Sequence, residues 1–530
     1  MNRWIVLSFS LPLFLSGCGK KKDDYRPSSQ ELRLNLHSEP PTLDPRKAVD
    51  ITSIPVIKMC FEGLMRIGRD GQPEFAAAER VEISPDQKQY TFYLRNAHWS
   101  DGKKVSAYDF EKSWKTMLGA NFLCEFAIDL YLLKNGKATK EGLCPIDEVG
   151  VHALDERTLH IELEHPVPYF MSALATHSFY PTPIHVIENS SDWVNENYVG
   201  NGPFQLTKWR HHHSIVVEKN PYYWDKEKVK LEKIQLVLIE DLSTELSMYE
   251  NNELDWAGHP LSALPEDALP TLALREEFEK FPISGTYFYV FNTKAFPFNN
   301  VNMRKAFTLA IDRQAIIDHV TLSKQLPATA LVPPTMWNND LPFFKDHDVD
   351  EARRLFQLAL KELNIKKEEL PPITLSYNTL SAHHKIAQAV QQQWNEAFGI
   401  RVHLENKEWK VFLDELRQHQ FQIARLGAVA SINDPSTFLD YYRYLSSSNN
   451  HSQWTSPPFS ELLEEADLTA DAEKRILLLR KAEKILMDEM PIAPLYFYMG
   501  SYLKKPYVKQ VYLSELLDVD FKWAYLETKE

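Results

Sequence analysis

Four cysteines in 530 residues are too few for a disulfide scaffold or a cysteine-rich zinc site, and no Cys-x-x-Cys pair occurs. Cys18 stands near the start, which leaves Cys60, Cys124 and Cys144 for the body of the chain. In an oxidising compartment Cys124 and Cys144 can pair and leave Cys60 buried and free, or all three can be free thiols; spacing does not choose. An excess of positive charge is missing too. The net charge of −14 argues against a nucleic-acid partner, because phosphate binding wants a basic face. The common catalytic signatures are absent: no G-x-S-x-G, no H-E-x-x-H, no G-x-x-x-x-G-K-[ST], and no glycine-rich loop after a strand. That removes the usual hydrolase, zinc-protease and P-loop readings, and no cofactor is implied. No fixed-period repeat is found, so a solenoid is excluded. Past the N-terminus, no stretch approaches the roughly 18 uninterrupted apolar residues of a membrane span.

What is present begins with "MNRWIVLSFSLPLFLSGCGKKKDD". Arg3 supplies a positive start, and Trp4 to Leu15 form a short apolar run of signal-peptide length. "LSGC" then resembles a bacterial lipobox, which implies cleavage before Cys18 and lipid on that cysteine. Residues 1–17 are the expected signal peptide and 18–27 a solvated tether. The mature protein is expected as a water-soluble body held by lipid to a membrane of the bacterial envelope. At 44% hydrophobic, 25% charged and 12% aromatic, that body has ordinary globular composition. It is long enough for two or three domains.

Alternating patterns predict strands. Leu32, Leu34 and Leu36 share a face in "ELRLNL", as do Tyr90, Phe92 and Leu94 in "YTFYLR". Leu159, Ile161 and Leu163 repeat the pattern, and so do Ile234, Leu236 and Leu238. Helical spacing groups Met303, Phe307, Ala310 and Ile311, then Ile386, Ala389, Val390 and Ala397, then Ile476, Leu479, Ala482 and Leu486. Between about 373 and 429 the order reads strand, helix, strand, helix, strand, which is α/β alternation. Proline-punctuated connections lie at 180–193 and 260–270, and 326–340 reads as a long surface loop.

Two local features invite chemistry. Three consecutive histidines, His211 to His213, cannot converge on one ion from an extended segment, where neighbours point to opposite faces. A turn before "SIVVEK" is expected instead of a metal site. "HWSDG" (98–102) reads as a structural corner with Trp99 packed beneath it and Gly102 free to take positive φ. Nothing in the spacing places Asp101 and Asp109 together as an acid/base pair.

A longer pattern is more specific. "YTFYLRNAHWSDGKKVSAYDFEKSW" (90–114) resembles the signature of the bacterial solute-binding proteins that deliver oligopeptides, dipeptides or nickel to ABC transporters. "SEPPTLDP" (38–45), "FEGLMRIGRDGQPEFAAAE" (61–79), "EHPVPYF" (164–170), "NGPFQLTKW" (201–209), "EKNPYYWD" (218–225), "ENKEWKVFLDE" (405–415) and "MPIAPLYFY" (490–498) follow in the expected order. The resemblance spans nearly the whole mature chain and is strongest to the oligopeptide binders of this family 5 of extracellular solute-binding proteins. It implies an α/β, two-lobed periplasmic-binding-protein fold with interrupted lobes, hinge closure and an extra domain. Lobe I would combine 28–64, 190–285 and 495–530; the extra domain would be 65–189; lobe III would be 286–494. It further implies a monomer with no enzymatic activity, capturing an oligopeptide or peptide-like ligand and passing it to ABC permease subunits. A dipeptide or metal–chelate ligand, or an envelope enzyme, is less well supported.

The resemblance also implies how a peptide would be held. Main chain would pair with main chain on both sides, through Ser38-Glu39-Pro40-Pro41 and through Gly427 to Ala430, including Ala428 and Val429. Small residues there would let two backbones approach. Asn378 and His383 match polar groups near the peptide, Trp409 an aromatic pocket wall, and Arg425 a fork for a ligand carboxylate. Departures from the pattern matter. Ser431 stands where relatives have an aspartate for the peptide ammonium, Ala428 where they have tryptophan, and Phe126 where they have tyrosine. Burying an ammonium without a carboxylate costs on the order of several kcal/mol. Asp434 and Glu39 are the candidate substitutes, though Asp434 before Pro435 also reads as a helix cap. An N-blocked peptide or a muropeptide stem is the alternative ligand that Ser431 and the space left by Ala428 suggest.

Overall fold

The computed structural model describes residues 27–50, 52–190, 192–337, 342–430, 432–445, 447, 449–469 and 471–528. Cys18, with the expected signal peptide, and Ser431 lie outside the described residues.

The alternating segments form strands because each has one apolar face to bury. Glu31–Asn35, Phe204–Arg210, Ser214–Lys219 and Lys233–Val237 make a four-stranded sheet, with the first and last of these parallel. Leu32, Leu34, Ile234 and Leu236 are wholly buried beneath it. A second four-stranded sheet holds Gln89–Leu94 and Thr158–Glu162 at its centre. Both sheets share a core that runs from Leu32 to Leu261 and takes in Tyr502 to Leu526 from the far end of the chain.

Many of the recognisable motifs meet inside this half as scaffold. Glu62 is buried, accepts from Tyr223 Oη at 2.7 Å and from Trp224 Nε1, and lies 3.6 Å from Arg66. Asn201 clasps the Glu62 backbone, accepting from its N–H at 3.0 Å and donating to its C=O at 2.9 Å. Trp99 is buried, and Gly102 has φ 86°, as the corner at 98–102 requires. Asp101 pairs with His185 at 2.7 Å, whereas Asp109 accepts from Ser106 N–H at 2.8 Å and caps a helix.

The alternation expected between 373 and 429 is present: strand Ile373–Asn378, helix Ser381–Phe398, strand Val402–Lys407, helix Trp409–Arg417 and strand Ile423–Val429. These strands join Phe278–Phe291 and Ile492–Lys504 in a seven-stranded mixed sheet. Two cores flank it, one around Tyr287, Tyr289 and Trp394, the other around Phe288, Val290 and Leu479. The faces of Phe278–Phe291 alternate between them, as strand geometry demands.

Phe278–Phe291 and Ile492–Lys504 are the long members of this sheet, and Trp256–Gly258 of the first half pairs with the second of them. Their mutual register shifts between Pro282 and Thr286, the place where the expected lobe boundary at 285/286 falls. A Cβ at Gly285 would lie 2.8 Å from the Ala428 C=O oxygen and 2.8 Å from Tyr498 Cδ2. Gly285→Ala therefore overpacks the sheet at this crossing. The expected cost is about 1–3 kcal/mol, read as a lower denaturation midpoint in urea at unchanged slope.

Cys60 is buried and its thiol pKa is pushed up by burial, while Cys124 and Cys144 are partly exposed; all three are unpaired. Among the described residues, no helix is long and apolar enough to cross a membrane.

Candidate functional site

Strand Ile423–Val429 carries the centre of the site. Its Ala430 end donates N–H to Ser284 C=O at 2.8 Å, and Gln422 accepts from Asn292 N–H at 3.0 Å. In an antiparallel pair, those bonds assign the even-numbered residues to Phe278–Phe291. The N–H and C=O of Arg425, Gly427 and Val429 therefore face the opposite edge. Ile373–Asn378 covers that edge only as far as Ala424. Gly427 and Val429 are exposed, and among the described residues no strand pairs with their edge, which is open there.

Side chains sort by the same alternation. Arg425 lies opposite Tyr289, Gly427 opposite Tyr287, and Val429 opposite Gly285. Ala424, Ala428 and Ala430 point into the other core with Phe288 and Val290. The small side chain of Ala428 thus packs inside the protein, on the face away from Arg425, and opens no space beside it.

Arg425 is half-buried over an aromatic floor. Its guanidinium carbon stands 4.7 Å from the Tyr287 ring centroid. Nη1 reaches Asn378 Oδ1 at 3.4 Å and Nη2 reaches Tyr498 Oη at 3.3 Å, while Nε is buried with no partner. No carboxylate pairs with it among the described residues. Burial works against the charge, but the oxygen-bearing rings of Tyr287, Tyr498 and Tyr496 outweigh it and leave the Arg425 pKa raised. Tyr287 also stacks on Tyr496 with centroids 4.8 Å apart, and Tyr496 meets Tyr498 edge-on at 5.9 Å. A Cβ at Gly427 would lie 2.2 Å from Tyr498 Oη, so any other residue here would displace that ring from the cluster. The tyrosines are the contacts that the motif reading missed. Their residues sit in "GTYFYV" and "PLYFYM", which periodicity marks only as buried strands.

His383 is buried and shares a hydrogen bond of 3.3 Å with the Tyr287 hydroxyl through Nδ1. Asn378, His383, Arg425 and Gly427 are therefore brought together. Trp409 opens helix Trp409–Arg417, is 51% exposed and stacks on Phe412, so it is not a core residue. Phe126 packs edge-on against His177.

The two candidate acids are committed elsewhere. Glu39 accepts from Trp209 Nε1 at 2.9 Å, from His211 Nδ1 at 2.8 Å and from the His212 N–H at 2.8 Å. His211 to His213 form the expected turn, with His212 at φ 58°. Pro40 is buried beside them, and residues 38–41 follow the strand Glu31–Asn35 without joining a sheet. Asp434 is buried, receives Arg475 through both guanidinium ends at 2.6 and 3.0 Å, and accepts from Ser436 N–H at 3.0 Å. The cap reading of Asp434 is thus joined by a bidentate ion pair. Arg475 in turn stands 5.4 Å over the ring of Tyr169, from the other half of the molecule. A cavity of about 280 Å³ lies there between the halves, lined by Tyr169, Thr176, Ile432, Asp434, Arg475 and Glu515 among others.

The His383 pKa is depressed from 6.5 to about 3, first by burial and then by Arg425. Between those values the unfolded chain binds a proton that the folded chain refuses. This residue's contribution is present above pH 6.5 and is lost as pH falls toward 3. His383→Gln should make stability less acid-sensitive in that window, measured by urea titrations at pH 7, 5 and 4. An unchanged pH slope contradicts it.

A family model described as bacterial extracellular solute-binding proteins, family 5 middle, matches residues 72–450. The chain is 42% identical to the oligopeptide-binding protein OppA of Bacillus subtilis, over 99% of this chain and 100% of that one. The solved Escherichia coli murein tripeptide binding protein MppA superposes with a TM-score of 0.80 at 30% identity, covering 94% of this chain and 99% of that one. Haemophilus influenzae OppA in complex with RPPGFSPFR gives a TM-score of 0.77 at 31% identity, over 95% of this chain and 100% of that one. These neighbours have the two-lobed fold of periplasmic peptide-binding proteins, and the two halves joined by long strands are its lobes. The chain belongs to the family 5 bacterial extracellular solute-binding proteins.

Proposed function

We propose that this protein is the ligand-capturing component of a peptide ABC transporter: it binds oligopeptides between its two lobes and delivers them to the permease subunits. One observation carries the reading most. The open edge at Gly427 and Val429 begins beside a half-buried arginine that has no carboxylate partner among the described residues. An extended peptide can add to such an edge by main-chain hydrogen bonds, and its terminal carboxylate supplies the missing anion. Main-chain pairing is indifferent to side chains, which suits a transporter of mixed peptides. The names of the relatives, several of them oligopeptide-binding proteins, agree with this.

The lobes would close by bending where the long strands change register, near Gly285. Closure would bring the first lobe against the open edge and shed water from it. "LSGC" supports lipid on Cys18 and tethering of the body outside the cytoplasmic membrane. Binding without turnover is the expected behaviour, as in the rest of the family.

A second reading, an N-blocked peptide or a murein-derived peptide, draws on the uncharged Ser431 and on the likeness to MppA.

Native mass spectrometry of the purified protein should recover intact peptides. Arg425→Ala should weaken peptide binding by about 10- to 100-fold, the loss of one charge-assisted pair, in calorimetry. Small-angle scattering of the unmutated protein should show compaction on adding peptide. A recovered non-peptide ligand, or cleavage of added peptide, would sink the proposal.

A further inference from the structure

A free peptide brings two charges into the cleft, and Arg425 answers one of them. The ammonium needs a carboxylate that is near the strand, faces the space between the lobes and is not already spent. Glu39 is held by Trp209, His211 and His212, and Asp434 by Arg475. Asp518, on the wall of the same cavity, pairs with Lys58 at 2.5 Å. Glu515 is different. It lines the cavity with Ile432 and Asp434, and its carboxylate has no hydrogen-bond or ion-pair partner among the described residues.

Its position is fixed by backbone. The Glu515 C=O accepts from Ser284 N–H at 2.6 Å, and the Ser284 C=O accepts from Ala430 N–H at 2.8 Å. Glu515 is thus linked through Ser284 to Ala430, just past the end of strand Ile423–Val429 that lies away from Arg425. At the cavity wall Asp434 is paired with Arg475 and Asp518 with Lys58, which leaves Glu515 as the uncompensated charge, and that suits a cation. Burial raises the Glu515 pKa, the mark of a carboxylate without a compensating charge.

We propose that Glu515 is the ammonium anchor of the cleft, so that the protein takes peptides with a free amino terminus and supplies from the first lobe the charge that residue 431 lacks. The assignment rests on the peptide reading above. Arg425 to Ala430 is five residue steps, about 17 Å along a strand, which fits a peptide of about four or five residues running antiparallel to it.

The test compares penta-alanine with N-acetyl-penta-alanine by calorimetry, in the unmutated protein and in Glu515→Gln. The unmutated protein should prefer the free amine by about 10-fold or more, the worth of a charge-assisted hydrogen bond. Glu515→Gln should lose that preference by weakening the free peptide alone. Retained affinity for the acetylated peptide shows that the variant is folded. If both peptides bind and the ratio survives the substitution, the assignment is overturned while the peptide reading stands. Preference of the unmutated protein for the acetylated peptide also overturns it, in favour of an N-blocked ligand. If the unmutated protein binds neither, the peptide reading fails and the assignment falls with it.

Discussion

Strand Phe278–Phe291 is hydrogen-bonded along both edges, to Ile423–Val429 on one side and Ile492–Lys504 on the other, and it crosses from one half of the molecule to the other. The site depends on that pairing. It puts Tyr287 beneath Arg425, sets Ser284 between Ala430 and Glu515, and presents Gly285 where Tyr498 must lie close to the backbone. A one-residue slip would turn every one of these side chains to the wrong face. The register that builds the core is the same register that builds the proposed cleft, so a slip would disturb both.

That coupling explains the composition of "RLGAVA". Arg425 and Gly427 belong to the face of the proposed cleft, where the arginine has no carboxylate partner among the described residues and the glycine leaves room for Tyr498. The alanines belong to the opposite face, where they are buried against Phe288 and Val290. The small residues therefore serve two purposes that the linear sequence runs together. Only Gly427 bears on the cleft directly.

Much of the architecture was legible because it is written locally. Leucines at every second position, helical spacing in the segments after 300, and the alternation from 373 to 429 each encode a buried face over a few residues. Arg425, Asn378 and His383 were legible as neighbours through motif order. The fates of Glu39 and Asp434 were not, because their partners Trp209 and Arg475 come from 170 and 41 residues away. A carboxylate's availability is a property of the tertiary structure. Glu515 carries no motif at all; it becomes conspicuous only when the other acids around the cavity are seen to be paired. Tyr287 and Tyr498 are similar, since alternation marks them as buried but not as the floor beneath a cation.

On the proposed function, Arg425, which has no carboxylate partner among the described residues, receives a carboxylate brought by the ligand. The most direct test is to measure, by calorimetry at low salt and pH 7, one pentapeptide as its free acid and as its C-terminal amide. The amide should bind about 10- to 100-fold more weakly, since it removes one partner of a charge-assisted pair. Equal affinities would contradict it, and would mean that the arginine is a structural member of the tyrosine cluster and not a ligand contact.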